Sequence, residues 1–195
     1  MMGERRTAKG ERRRKRKRES STSSRALRPT PFAIRPIRAL FFDVDGVLTD
    51  GRIYLAGDGR EFKVFDTKDG HGLRKAIAAG LRVAWISGRT SRATAARAKE
   101  LGVHACLQGV REKLPEYERL CRRWNVDPRE TGAMGDDEPD VPILRAAGFS
   151  ACPADATAAA RKAAHVVLTR DGGRGAARQF IDLVLARNAR RGRTK

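Results

Sequence analysis

Short apolar runs alternate with longer stretches of helical spacing along the chain from Ile37 onward. The apolar runs cover residues 37–42, 81–87, 103–107, 131–134, 149–152 and 165–169. The helical stretches cover residues 71–80, 91–102, 112–124, 140–148, 156–164 and 175–187, and several of them end in glycine, a common residue just after a helix. Strands of about five residues that alternate with helices favour a parallel sheet with helices on both faces. The pattern therefore predicts an α/β fold.

Residues 51–66 interrupt this alternation. Ile53 and Leu55 alternate with polar positions, a Gly-Asp-Gly turn follows at 57–59, and more apolar residues follow from Phe62. This pattern predicts a β-hairpin inserted between the first strand and the first helix. The insertion is too short to form a separate domain.

The formal charge of +19 is concentrated in the ends of the chain. Residues 1–36 carry 13 basic and 3 acidic side chains, and residues 187–195 add 5 basic ones. We therefore expect a disordered basic extension over 1–36, a folded domain over 37–186 and a basic tail over 187–195. The extension is interpreted as a solvated tail, with non-specific binding of nucleic acid or anionic lipid as the alternative.

Location is predicted from what the sequence lacks. No stretch approaches the roughly 20 apolar residues of a membrane span, and the N-terminus has no apolar segment typical of a secretory signal. The three cysteines are widely spaced and form no CxxC pair, which indicates reduced thiols rather than a zinc site. We expect a cytoplasmic protein without membrane insertion.

Polar residues follow the apolar runs where strands of a parallel sheet would end. Asp43 and Asp45 follow the first run, and Ser87, Gly88 and Arg89 follow or end the second. Lys113 opens the helical stretch after the third run. The fourth run is followed by Asp136 and Asp137, with Asp140 one turn later. Ligands of open α/β sheets bind beyond the carboxyl ends of the strands, so these side chains are expected at one edge.

This set suits the hydrolysis of a phosphate monoester. Asp43 and Asp136, with the backbone carbonyl of Asp45, offer the oxygen ligands that Mg²⁺ prefers. Asp43 is the predicted nucleophile that forms an aspartyl-phosphate, and Asp45 is the predicted general acid and base. Ser87, Gly88 and Lys113 would hold the phosphoryl oxygens and offset charge in the transition state.

The motifs resemble those of the haloacid dehalogenase superfamily. DVDGVLTD (43–50), ISGR (86–89), Lys113 and GDDEPD (135–140) match its four motifs in order. Within it, residues 37–186 resemble the 3-deoxy-D-manno-octulosonate (KDO) 8-phosphate phosphatases in DGVLTDGRIY (45–54), FKVFDTKDGHGLR (62–74) and GGRGAAR (172–178).

The resemblance implies a Rossmann-like fold in which hairpin 51–66 builds a homotetramer and no cap domain is present. It implies that a glycine-rich tail lid, about 171–178, closes over a neighbour's site. It also implies Mg²⁺-dependent release of KDO and phosphate in lipopolysaccharide precursor synthesis. A loop over residues 66–70 is expected at the edge of the site, with Asp137 and Asp140 supporting the metal ligands. The substrate-binding set comprises Asp45, Asp66, Thr67, Lys68, Asp69, Gly70, Arg74, Arg89, Arg97, Lys113 and Arg174.

Two other functions stay open. A phosphatase for another sugar-acid phosphate, such as a nonulosonate 9-phosphate, would share the same four motifs. A catalytically inactive protein that binds nucleic acid through its basic N-terminal extension is the other alternative. The intact Asp43, Asp45, Lys113 and Asp136 argue against inactivity, because folding does not need them.

Overall fold

A computed structural model of the chain describes residues 35–192. Its strands are β1 (Ala39–Phe42), β2 (Tyr54–Leu55), β3 (Glu61–Phe62), β4 (Arg82–Ile86), β5 (Ala105–Leu107), β6 (Thr131–Met134), β7 (Phe149–Cys152) and β8 (Val166–Val167). Six of them form one parallel sheet in the order β5-β4-β1-β6-β7-β8. The predicted α/β fold is confirmed, and β2 and β3 form the predicted antiparallel hairpin outside this sheet.

Helices cover both faces of the sheet. They are α1 (Thr67–Ala78), α2 (Arg92–Leu101), α3 (Lys113–Trp124), α4 (Val141–Ala146), α5 (Ala158–Ala163) and α6 (Ala176–Gly192). Alternate residues of the central strand β1 enter two separate cores. Leu40 and Phe42 pack with residues of α1 and α6 such as Phe180, whereas Phe41 packs with residues of α3 such as Tyr117. Burial on both faces explains why this strand is apolar throughout.

The expectation of a loop over 66–70 is wrong, because α1 begins at Thr67. Asp66 caps this helix, with its carboxylate accepting a hydrogen bond from the backbone N–H of Lys68 at 2.6 Å. Gly70 allows α1 to lie close to α2, since a Cβ there would be 2.4 Å from Arg97 Nη2. The glycine in this stretch therefore serves close packing of helices.

The beginning and end of the described chain are joined. Asn188 of α6 accepts from the N–H of Ile37 at 2.9 Å and donates to its carbonyl at 2.8 Å. The predicted domain end at 186 thus falls inside α6. Arg35, assigned from sequence to the extension, pairs with Asp127 at 3.0 Å. Residues 1–34 and 193–195, which hold most of the predicted basic extension and the end of the tail, lie outside the described residues.

The glycine-rich segment packs against the loop that follows β1. The N–H of Gly173 donates to the carbonyl of Val47 at 3.0 Å. A Cβ on Gly172 would be 1.8 Å from the carbonyl oxygen of Gly46, so only glycine permits this approach. This contact is made within one chain. No helix between residues 35 and 192 is long and apolar enough to cross a bilayer.

Candidate active site

The ends of the central strands bring the predicted catalytic residues into one cleft. Asp43 follows β1, Ser87 follows β4, and Asp136 comes two residues after β6. Lys113 is the first residue of α3 and points back under the same edge. The cleft measures about 280 Å³. The predicted residues that line it are Asp43, Asp45, Ser87, Gly88, Arg89, Lys113, Asp136, Asp137 and Asp140.

A buried lysine connects two of the carboxylates. Lys113 Nζ donates to Asp43 Oδ1 and to Asp140 Oδ1, each at 2.6 Å. The three side chains are at most 8% exposed. Carboxylate oxygens of Asp43, Asp136 and Asp140 lie within 4.8 Å of one another. Three acidic groups therefore lie close together, and one ammonium group is bonded to two of them.

This crowding changes the protonation of the cluster. Burial, with repulsion from Asp140, raises the pKa of Asp43 from 3.8 to about 7. Burial, with repulsion from Asp43 and Asp140, raises the pKa of Asp136 from 3.8 to about 8. Burial alone would lower the pKa of Lys113, but the charges of Asp43 and Asp140 outweigh it and raise that pKa. Lys113 therefore stays protonated, and the carboxylates keep an excess negative charge that a cation would offset.

The oxygens left over in the cluster fit a divalent metal. Both oxygens of Asp140 are engaged, because Oδ2 accepts from the N–H of Asp136 at 3.0 Å and of Asp137 at 3.3 Å. By contrast, Asp136 Oδ1 is buried and has no hydrogen-bond partner within residues 35–192. Gly46 lies against the same carboxylate, since a Cβ there would be 2.1 Å from Asp136 Oδ2. Asp43 and Asp136, with the backbone beside Gly46, therefore form a hard oxygen site suited to Mg²⁺.

Lys63 is a contact of Asp45 that the sequence reasoning missed. Its Nζ donates to Asp45 Oδ1, and it also lies 3.7 Å from Glu61 Oε1. Glu61 Oε2 in turn accepts from Arg89 Nη2 at 3.2 Å. The alternation of apolar and charged residues over 61–64 was the available signal. Successive side chains of an extended segment point to opposite sides, so Phe62 and Val64 are exposed while Glu61 and Lys63 point toward the cleft.

The β4–α2 turn supplies a polar wall of the cleft. Ser87 is buried, and its hydroxyl accepts from the N–H of Arg89 at 3.2 Å. The carbonyl of Ser87 also accepts from the N–H of Val110, which holds the two loops together. Val110, Arg111 and Pro139 line the cleft as well and were not predicted. Of these three, only Arg111 could have been found from the sequence, because it is a cation two residues before the predicted phosphate-binding Lys113.

The remaining predicted substrate residues lie outside this cleft in a single chain. Arg97 pairs with Glu100 at 2.8 Å, and Arg74 donates to the Glu100 carbonyl at 3.2 Å. Lys68 and Arg174 line a separate open groove of about 510 Å³. Asp66 and Thr67 form the start of α1, together with Gly70.

Asp69 faces α6 rather than the cleft. It is 2% exposed, and its carboxylate accepts from the N–H groups of Gly175 at 3.2 Å and Arg178 at 2.6 Å. Burial raises the pKa of Asp69 from 3.8 to about 6. The geometry makes it the cap of α6, which corrects the interpretation of Asp69 as a substrate ligand.

Known proteins match most of this chain. Residues 109–179 match the family of haloacid dehalogenase-like hydrolases. The 3-deoxy-D-manno-octulosonate 8-phosphate phosphatase of Yersinia pestis is 40% identical over 149 residues, which is 76% of this chain and 80% of that protein. Its counterpart in Escherichia coli K12 is 38% identical, covering 76% of this chain and 79% of that protein.

Solved structures agree with these matches. A crystal structure of the Yersinia pestis phosphatase has a TM-score of 0.77 at 38% identity, over 78% of this chain and 83% of that chain. The Moraxella catarrhalis phosphatase, in complex with a magnesium ion, a phosphate ion and KDO, has a TM-score of 0.75 at 35% identity. That match covers 77% of this chain and 86% of the other.

Proposed function

The chain belongs to the 3-deoxy-D-manno-octulosonate 8-phosphate phosphatase family of haloacid dehalogenase-like hydrolases, and we propose that it hydrolyses KDO 8-phosphate to KDO and inorganic phosphate. One observation carries the proposal for the reaction. Asp43, Asp45, Asp136 and Lys113 converge on one cleft at the carboxyl ends of β1 and β6. The substrate is proposed because relatives at 38–40% identity over most of the chain act on it.

Asp43 and Asp45 divide the chemistry between them. A carboxylate oxygen of Asp43 attacks phosphorus and forms an aspartyl-phosphate, while the C8 oxygen of the sugar leaves with a proton from Asp45. Water then attacks the same phosphorus and gives a proton to Asp45. This attack breaks the bond to Asp43, so that inorganic phosphate is released and the Asp43 carboxylate is restored. Lys113, the Ser87 hydroxyl and the Gly88 backbone bind the phosphoryl oxygens during both steps.

We propose Mg²⁺ as the cofactor, held by Asp43, Asp136 and the Asp45 carbonyl. When bound, it supplies positive charge beside the phosphoryl group and offsets repulsion between that group and the carboxylates. The chain's own contribution is to fix these ligands. Asp140 helps to fix them because its two oxygens accept hydrogen bonds from Lys113 and from the N–H groups of Asp136 and Asp137.

We also propose that the protein acts as a homotetramer built on the hairpin. Four apolar side chains of this hairpin are more than half exposed, namely Ile53, Leu55, Phe62 and Val64. A hairpin of two-residue strands is marginal alone, so packing against other copies would stabilise it. Four basic residues of the predicted substrate set lie outside the cleft of their own chain, namely Lys68, Arg74, Arg97 and Arg174. In a tetramer, a neighbouring copy could therefore complete substrate recognition. A lid over the neighbour, lipopolysaccharide precursor synthesis and a cytoplasmic location remain predictions.

Phosphate release from three substrates tests the proposal. We expect KDO 8-phosphate to be turned over faster than a nonulosonate 9-phosphate and than a simple alkyl phosphate. EDTA should abolish turnover and Mg²⁺ should restore it. Full activity in EDTA would contradict the metal role, and a preference for the nonulosonate would shift the substrate to the alternative. Sedimentation of the same sample reports the tetramer, and a monomer at micromolar concentration would exclude it.

A further inference from the structure

Lys63 reaches from the hairpin into the active site. It follows β3, and its side chain is only 2% exposed although both neighbouring side chains, Phe62 and Val64, face solvent. Its ammonium contacts Asp45 Oδ1 and lies 3.7 Å from Glu61. Glu61 also binds Arg89 of the cleft at 3.2 Å. A buried ammonium is costly unless paired, so the acidic partners fix where Lys63 can lie.

This contact makes the two oxygens of Asp45 unequal. Oδ1 is held by Lys63, whereas Oδ2 is buried and has no hydrogen-bond partner in the described part of the chain. We propose that Lys63 is a positioning residue, which holds Oδ1 of the Asp45 carboxyl group and leaves Oδ2 as the oxygen that transfers a proton to the leaving oxygen of the substrate. The inference rests on the proposed phosphatase function and adds a residue to it.

The arrangement also links the hairpin to catalysis. Residues 61–64, which begin with β3, present Glu61 and Lys63 to the site and Phe62 and Val64 outward. Movement of the hairpin would therefore displace the group that holds Asp45. Proton donation depends on a donor within hydrogen-bond reach of the leaving oxygen, so a loosely held Asp45 would act less effectively.

Leaving-group dependence separates positioning from a merely structural role. We would measure kcat/KM for a series of substituted phenyl phosphates, which share one shape and differ in the basicity of the departing oxygen. This constant covers the steps through formation of the aspartyl-phosphate, where Asp45 donates its proton. The variants are Lys63→Met, Lys63→Arg and Asp45→Asn. Lys99→Met, which removes an exposed lysine of α2, is the matched control.

We expect Lys63→Met to lower kcat/KM about 10- to 100-fold for phenyl phosphate, but by less than about threefold for p-nitrophenyl phosphate, whose leaving group needs little protonation. In Lys63→Met, kcat/KM should therefore fall more steeply with the basicity of the leaving group, approaching the dependence seen in Asp45→Asn. Lys63→Arg keeps a cation and should restore most of the wild-type dependence. Lys99→Met should match the wild type.

Each other outcome decides the matter. An equal loss across the series in Lys63→Met, or a loss confined to KM, would overturn the positioning role while the phosphatase function stands. If the wild type with Mg²⁺ hydrolyses none of the esters or KDO 8-phosphate, the proposed function itself fails. Circular dichroism and sedimentation check that the variants keep their fold and assembly. Should Lys63→Met unfold, an unrestored dependence in a folded Lys63→Arg would overturn the proposal.

Discussion

Replacing the nucleophile should make the metal-free protein more stable while it abolishes turnover. In Asp43→Asn the amide oxygen can still accept from Lys113, which donates at 2.6 Å in the wild type. What disappears is one of three acidic groups whose oxygens lie within 4.8 Å of one another. The substitution therefore removes repulsion without emptying the space that the side chain fills.

The size of the effect follows from the pKa of Asp43. Burial and repulsion raise it from 3.8 to about 7. At 1.36 kcal/mol per pKa unit, ionising this carboxyl group in the folded protein costs up to about 4 kcal/mol. Because the three carboxylates share the repulsion, we expect a gain of about 1–3 kcal/mol above pH 7. For a chain of this size, this gain raises Tm by about 3–10 °C.

Thermal unfolding in EDTA at pH 8 and at pH 5 measures this effect. The gain should appear at pH 8 and shrink at pH 5, because Asp43 is then protonated in the wild type as well. Added Mg²⁺ should stabilise the wild type more than the variant, which has lost a ligand. Asp140→Asn provides the contrast, since its oxygens accept three hydrogen bonds and its loss should destabilise the fold. An Asp43→Asn protein that melts below the wild type in EDTA at pH 8, or that keeps substantial turnover, would refute the reasoning.

Three further predictions concern pH, packing and the extension. Burial raises the pKa of Asp136 to about 8, so in EDTA its contribution to stability is present below about pH 4 and is lost as pH rises through 8. The free energy of unfolding of Asp136→Asn, measured in urea, should therefore match that of the wild type near pH 4 and exceed it at pH 9. A difference that stays constant with pH would contradict this. Gly172→Ala would place a Cβ 1.8 Å from the Gly46 carbonyl oxygen and should lower both Tm and turnover, whereas Gly57→Ala, with nothing within 4 Å, should change neither. Deleting residues 1–34 should leave turnover and Mg²⁺ dependence unchanged, because the Arg35–Asp127 pair and the whole cleft are kept; loss of most phosphate release would give the extension a catalytic role.

Most of the fold could be predicted because its signals are local. Each of the six apolar runs became a strand, since a buried parallel strand needs nothing more than a short apolar segment with helices on either side. The cleft residues were predictable for a related reason. Asp43, Ser87 and Asp136 each follow the end of a strand, and parallel strands end at the same edge.

The features that sequence could not supply depend on contacts between distant positions. Asp69 looked like a ligand in a loop, but its partners lie 106 and 109 residues away, in the backbone just before and within the first turn of α6. The sequence did not single out Lys63, because only the path of the hairpin brings it to Asp45. The role of Gly70 and Gly72 in helix packing was also hidden, because the side chains that pack over them, Arg97 and Arg178, come from other helices.

The two hydrogen bonds between Ile37 and Asn188 have a consequence for synthesis of the protein on the ribosome. These residues are 151 positions apart, and Asn188 occupies both backbone groups of Ile37 at the root of the central strand. At about 5–20 residues per second, translation supplies the second partner roughly 8–30 s after the first. Throughout that interval the nascent chain already carries the nucleophile, but it lacks the helix that covers one face of its strand. A chain ended by a stop codon between Asp140 and Ala176 would keep every catalytic residue and still expose the core that α6 covers. We expect such a chain to be degraded rather than used.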